Sequence, residues 1–230
     1  MNFSVLIAVY QKENPDFLKL ALESIWFQQT LQPSEIVLVC DGPLTEELNQ
    51  VIEVFKLSAP LKVCTLNKNS GLGFALSEGL DLCSNEIIAR MDSDDISVPD
   101  RFEKQIKFMT NHPEIDISGT NIAEFKESTD KICSYRRLPS RFNDIIQFAK
   151  RRNPLNHMTV IFRKTAVMNA GNYQPFYGYE DYYLWIRMLQ NGSIIGNIPE
   201  NLVFARIGNR MHSRRQGFKL FRQELKLLRE

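Results

Sequence analysis

Through the first hundred residues, short and nearly unbroken apolar runs alternate with stretches of helical period. FSVLIAV (3–9), EIVLVC (35–40), LKVCTL (61–66) and EIIARM (86–91) have the length and β-branched content of strands. Between them, Asn14 followed by Pro15 predicts an N-cap with proline at the first helical position, opening PDFLKLALESIWFQQ. Thr45 with Glu46 and Glu47 starts a second helix to about Ser58, and SGLGFALSEGLDLC is a third. Strands lacking polar alternation are buried on both faces, so the pattern predicts an α/β fold whose central sheet is mostly parallel. Such sheets bind ligands at the carboxyl ends of their strands. There the chain carries AVYQKE, DGP, NKNSGLG and MDSDD.

Beyond residue 100 the pattern is less regular. Pro99 predicts a helix start running to about Asn111, EIDISGTNIAEF one or two strands, and TVIFRK (159–164) another. YEDYYLWIRMLQNG predicts a helix ending near Gly192, and SIIGNI and LVFARI two short strands. Without a repeat, low-complexity tract or linker, a single compact domain is expected.

With 230 residues and 43% hydrophobic content, the chain can bury a real core. No apolar run reaches the roughly 18 residues that span a bilayer. The start NFSVLIAVY has neither basic leader nor small-residue cleavage site and is taken as a first strand. The cysteines, Cys40, Cys64, Cys83 and Cys133, have no paired short spacing, which points to a reducing cytoplasm without structural zinc. The net charge of +1 hides an asymmetry: residues 1–100 hold 6 Lys/Arg against 15 Asp/Glu, and residues 101–230 hold 22 against 12. A basic half suits nucleic acid, anionic lipid or a phosphorylated substrate, but the acidic half would repel nucleic acid, which is not expected as a partner.

Asp92, Asp94 and Asp95 crowd three like charges at the end of a strand. A solvated turn that complements the next helix N-terminus is one explanation. An EF-hand fails, because Ile96 and Ser97 stand where its loop needs Asp or Asn and then Gly. A haloacid-dehalogenase phosphatase matches poorly, with Ile96 at the last motif position and the cluster after the fourth strand. The remaining explanation is an Asp-x-Asp holder for a hard divalent cation on a nucleotide diphosphate. Asp41 is either a base or ribose acceptor or an ordinary turn aspartate before Gly-Pro. NSGLGFA opens the third helix with amides expected to be exposed, but Leu76 stands at the third position of the dinucleotide fingerprint, which is therefore incomplete.

Taken jointly, SVLIAVYQKENPDFLKLALESIWFQQ, EIVLVCDGP, NKNSGLGFALSEGL, IARMDSDD, NHMTVIFRK and GYEDYYLWIRM resemble family 2 glycosyltransferases of the GT-A fold, of the bacterial amylovoran and O-antigen type. The resemblance covers most of the chain and implies a glycosyltransferase domain over residues 1–205, with a nucleotide-sugar half (1–100), an acceptor half (101–205) and a basic segment (206–230). It places Ala8, Val9, Tyr10, Glu13, Asp41, Asn69, Gly71 and Arg90 at the nucleotide sugar. It also implies Asp94 as direct ligand of Mn2+ or Mg2+, Asp92 at ribose or metal-bound water, and Asp95 at the donor sugar. In the pair Glu180-Asp181, Asp181 becomes the catalytic base of an inverting transfer, and Glu180 an acceptor-side group.

His157 is either a packed core histidine or an acceptor or phosphate contact. Arg214-Arg215 resembles an arginine pair near the diphosphate in relatives. Phe218, Phe221, Leu225 and Leu228, flanked by Lys219, Arg222, Lys226 and Arg229, make a basic amphipathic stripe suited to an anionic membrane or to packing on its own domain. The expected activity is transfer of a hexose, galactose by the look of the O-antigen relatives, from a UDP-sugar to a saccharide acceptor on a lipid diphosphate. The expected place is the cytoplasm, peripheral to the inner face of the cell membrane. A sugar nucleotidyltransferase and an inactive sugar-nucleotide-binding module are the alternatives.

Overall fold

The computed structural model describes residues 1–208; Arg214, Arg215 and the basic stripe lie outside the described residues. The chain runs β1 (Phe3–Val9), α1 (Pro15–Ile25), β2 (Glu35–Cys40), α2 (Glu46–Lys56), β3 (Leu61–Thr65), α3 (Leu72–Leu82) and β4 (Ile87–Asp92). It continues through β5 (Ile96–Ser97), α4 (Arg101–Asn111), β6 (Ile117–Phe125), β7 (Ile132–Arg136) and α5 (Phe142–Ala149). A single 3-10 turn at His157–Thr159 precedes β8 (Ile161–Arg163), α6 (Lys164–Asn169), α7 (Glu180–Gln190) and β9 (Ile195–Arg206). One nine-stranded sheet has the order β3-β2-β1-β4-β8-β6-β9-β5, with β7 added beside β6. The first four strands in that order are parallel, while β8 pairs antiparallel with both β4 and β6.

Strand alternation sends residues to two cores. Phe3, Val5, Ile7 and Val9 of β1 pack against α1, α2 and α4, whereas Leu6 joins Ala75, Leu76 and Leu80 of α3 and Leu184, Trp185 and Met188 of α7. A Cβ on Gly79 would lie 2.5 Å from Leu6 Cδ1 and 2.6 Å from Val39 Cγ2, so glycine lets α3 seat directly on the sheet. The predicted caps are present: the Asn14 side chain accepts the Asp16 amide at 2.8 Å and Thr45 accepts the Leu48 amide at 3.4 Å, each worth about 1 kcal/mol.

The second half departs from the expected pattern. SIIGNI and LVFARI belong to one strand, β9, which keeps parallel pairing with β6 by shifting register beside Thr120 and Asn121. The Pro199-Glu200 interruption is absorbed as a bulge. TVIFRK contributes only the three residues of β8, since Thr159 closes the 3-10 turn and Lys164 opens α6. The helix expected from Pro99 begins at Arg101, with Asp100 as its N-cap. β4 extends one residue further than expected and ends on Asp92. Among the described residues, no helix is long and apolar enough to cross a membrane.

Candidate active site

Parallel pairing of β1 with β2 and β4 brings three strand ends together, setting Ala8 opposite Val39 and Asp92, and Val9 opposite Cys40. Val9 is buried, and Ala8 and Tyr10 are half-buried. Beyond β2, Asp41 is 6% exposed. Its Oδ1 accepts the Ser70 amide at 2.6 Å and its Oδ2 the Gly71 amide at 3.0 Å, while Asn69 Nδ2 donates to the Asp41 carbonyl at 3.2 Å. The amides expected to be exposed before α3 are therefore capped by Asp41, because a buried carboxylate requires donors and a helix N-terminus supplies them. A carboxylate offers about four acceptor directions, so two remain beyond those amides. Gly42 has φ +89°, and a Cβ there would lie 2.6 Å from the Asn69 nitrogen, which explains glycine in this turn.

The acidic turn at the end of β4 is not a solvated loop. Asp95 is 2% exposed, Asp94 is half-buried, and the ligand oxygens of Asp92, Asp94 and Asp95 all lie within 4.8 Å of one another. Burial, with Asp92 and Glu13 adding repulsion, pushes the Asp94 carboxyl up to about 7. Burial and its two neighbours push Asp95 well above the ordinary range as well. Asp95 Oδ1 accepts the Arg206 amide at 2.7 Å, but its buried Oδ2 has no hydrogen-bond partner. Arg206 also donates from Nε to the Asp94 carbonyl at 3.0 Å, and its guanidinium lies 3.8 Å from the Phe17 ring centroid and 4.5 Å from that of Phe125. Asp95 is thus tied to β9 through its Oδ1. Glu13 meets this turn too, with its Oε2 accepting the Ser93 hydroxyl at 2.8 Å.

Three converging carboxylates, one with an orphaned buried oxygen, fit a hard divalent cation that takes oxygen ligands, as Mn2+ and Mg2+ do. Such an ion would relieve the repulsion that raises Asp94 and Asp95.

On the same face of β4 as Asp92, two residues earlier in the strand, Arg90 is 1% exposed and ion-pairs with Asp92, while its Nε has no hydrogen-bond partner. The first turn of α7 presents Asp181, whose Oδ2 accepts Asn153 Nδ2 at 2.6 Å. Burial raises its pKa, opposed by the Tyr182 amide, Asn153, Arg90 and Arg136. Glu180 is likewise raised by burial. Its Cγ would lie 3.0 Å from a Cβ on Gly73, and the Gln174 carbonyl 2.8 Å, so glycine allows α3 and α7 to meet at their N-termini. His157 Nε2 is 3.1 Å from the Tyr173 hydroxyl, and its ring centroid is 5.9 Å from that of Trp185. Burial, reinforced by Arg90, holds His157 well below its usual pKa and so neutral. His157 is half-buried, with one ring nitrogen engaged by Tyr173. Asn153 and Arg206 carried no sequence signal, because each acts through a partner distant in the chain.

The sequence model "Glycosyl transferase family 2" matches residues 4–173. "Amylovoran biosynthesis glycosyltransferase AmsE" of Erwinia amylovora is 46% identical over 227 residues, covering 99% of this chain and 84% of that protein. The Escherichia coli "UDP-Gal:alpha-D-GlcNAc-diphosphoundecaprenol beta-1,3-galactosyltransferase" is 40% identical over 224 residues, covering 97% and 81%. Among solved structures, S. aureus TarS 1-349 in complex with UDP-GlcNAc superposes with TM-score 0.76 at 20% identity, covering 99% of this chain and 65% of that one. Of a longer TarS structure the chain spans 37%. A parallel β3-β2-β1-β4 sheet with an acidic turn at its carboxyl edge, continued by a mixed half, is the GT-A arrangement, and the chain belongs to glycosyl transferase family 2.

Proposed function

We propose that the protein transfers a hexose from a UDP-sugar, with inversion, to a saccharide acceptor in bacterial surface polysaccharide synthesis. The observation that carries this reading is the presence of two acidic centres: the Asp92, Asp94 and Asp95 cluster at the end of β4, and the half-buried Asp181 on α7. Galactose as donor sugar and a GlcNAc diphosphate lipid as acceptor are supported by the E. coli relative's name. Such an acceptor fits a protein working at the cytoplasmic face of the membrane, with residues 206–230 as a basic segment and residues 1–100 and 101–205 as its donor and acceptor halves.

Ala8, Val9, Tyr10, Asn69, Gly71 and the free acceptor directions of Asp41 line the uridine side. Asp94 and Asp92, joined by Asp95, would hold Mn2+ or Mg2+. When bound, the ion neutralises the charge that develops on the diphosphate. Asp181 takes the proton of the acceptor hydroxyl as its oxygen bonds to the anomeric carbon, and the electron pair of the sugar–phosphate bond leaves with UDP. Burial raises the Asp181 pKa and so makes it a stronger base than an exposed aspartate. Asn153 orients the carboxylate, and the remaining work is alignment.

Calorimetric binding of UDP, UDP-galactose, UDP-glucose, UDP-GlcNAc and GDP-mannose, with manganese and with chelator, tests this reading. Metal-dependent binding of a UDP-sugar is expected; indifference to every nucleotide would sink it.

A further inference from the structure

The guanidinium of Arg101, at the start of α4, is 0% exposed, yet the groups it contacts are all neutral acceptors. Nε donates to Gln105 Oε1 at 2.9 Å, and Nη1 to Ser97 Oγ at 2.9 Å and Met91 Sδ at 3.1 Å. Nη2 donates to the carbonyls of Arg90 at 2.6 Å and Met158 at 3.0 Å. Burial, with Arg90 adding repulsion and the more distant Asp95 and Asp92 opposing, lowers its pKa to about 9, so it stays charged at neutral pH. Burying a cation without a contacting carboxylate is costly, and packed apolar side chains would hold the same elements together at less cost. The two carbonyls on Nη2 show what the arginine adds, since one belongs to the strand that ends in Asp92 and the other to the turn that starts at His157.

Neighbouring bonds extend the same join. Gln105 Nε2 donates to the Thr159 carbonyl at 2.9 Å, and the Arg90 amide donates to the Val160 carbonyl at 2.8 Å. Three successive carbonyls, at 158, 159 and 160, are thus each fixed by Arg101, Gln105 or Arg90. Through Thr159 Oγ1, which accepts the Thr120 amide at 2.9 Å, the join reaches β6.

We propose that Arg101 is a positioning residue for transfer: its fork fixes the end of β4, with Arg90 and Asp92, against the 157–160 turn, whose His157 packs on Trp185 of α7, the helix that carries Asp181, and so sets the metal and base sides in reacting register. This rests on the glycosyl-transfer reading above. Misalignment penalises attack by a held acceptor hydroxyl but spares attack by water, which needs no acceptor site. The ratio of transfer to UDP-sugar hydrolysis therefore reports the proposed role, whereas a loss of folded protein lowers both rates together.

The experiment compares wild type, Arg101→Met, Arg101→Lys and Gln105→Met for transfer, manganese-dependent hydrolysis of the same UDP-sugar, and calorimetric affinity for UDP with manganese. Arg101→Met is expected to lose roughly a hundredfold in transfer kcat, with hydrolysis and nucleotide affinity near wild type. Arg101→Lys, which keeps the charge but loses the fork, is expected to recover only part of the ratio. Should Arg101→Met not fold, Gln105→Met, which removes one link of the join, is expected to shift the ratio the same way by about tenfold. Parallel falls in transfer and hydrolysis, or an unchanged ratio in the folded variants, overturn the positioning role alone. Failure of wild type to bind UDP with manganese overturns the glycosyl-transfer reading, and this proposal with it.

Discussion

Asp41 and Gly71, 30 residues apart in the chain, meet where the Asp41 Oδ2 accepts the Gly71 amide at 3.0 Å. One carboxylate thereby ties the end of β2 to the start of α3, and its second oxygen takes the Ser70 amide. Asp41→Ala leaves both amides without their acceptor, at a cost of about 1–3 kcal/mol. The expected result is a lower Tm together with weaker UDP affinity. Weakened binding at unchanged Tm would instead make Asp41 a pure nucleotide contact.

Metal dependence should follow Asp94. Asp94→Ala is expected to abolish the difference in UDP affinity between manganese and chelator. Wild-type calorimetry in the variant would remove Asp94 from the ligand set.

The pH profile should follow Asp181. A general base works deprotonated, and burial raises this carboxyl above its ordinary 3.8, so kcat should climb with pH along an acid limb set above that value. Asn153 donates to the carboxylate and stabilises its charged form, so Asn153→Ala should move the limb to higher pH. Asp181→Asn should cost about 10²- to 10⁴-fold in transfer with UDP affinity preserved. A limb that stays in place in Asn153→Ala would argue against Asp181 as the titrating group.

Stability at low pH should follow Glu35. Burial opposes ionisation there, but Lys62, Ser4 and Ser84 hold the carboxyl at about 2 against an ordinary 4.5. With the folded pKa below the unfolded one, the carboxylate's contribution is complete above pH 4.5 and disappears as pH falls toward 2. Glu35→Gln should therefore lower Tm near neutrality, and its deficit against wild type should shrink across that interval. A deficit independent of pH would assign the loss to packing.

The first half of the fold was legible because its signals are local. The runs in β1, β2 and β4 are buried on both faces and so read as continuous apolar segments, and the caps at Asn14 and Thr45 lie within three residues of the amides they satisfy. β5 was not legible, since Ile96 and Ser97 become a strand only by pairing with Phe204 and Val203. β9 read as two strands because Pro199 is a breaker in sequence, and only β6 supplies the pairing that carries the strand across it. In the site, the acidic residues were visible as motifs, while their surroundings were not. Nothing near Asp95 announces the Arg206 amide, and nothing near Asp41 announces which amides it caps.

The bond between the Asp95 carboxylate and the Arg206 amide spans 111 positions, and this bears on biosynthesis. A nascent chain emerges N-terminus first, so the acidic turn leaves the ribosome long before the strand that shelters it. Until β9 arrives, Asp95 stays hydrated and the turn lacks its final shape. Capacity for the ion is thereby tied to completion of β9, and a translation product cut short before Arg206 would carry all three aspartates and still lack the finished cradle.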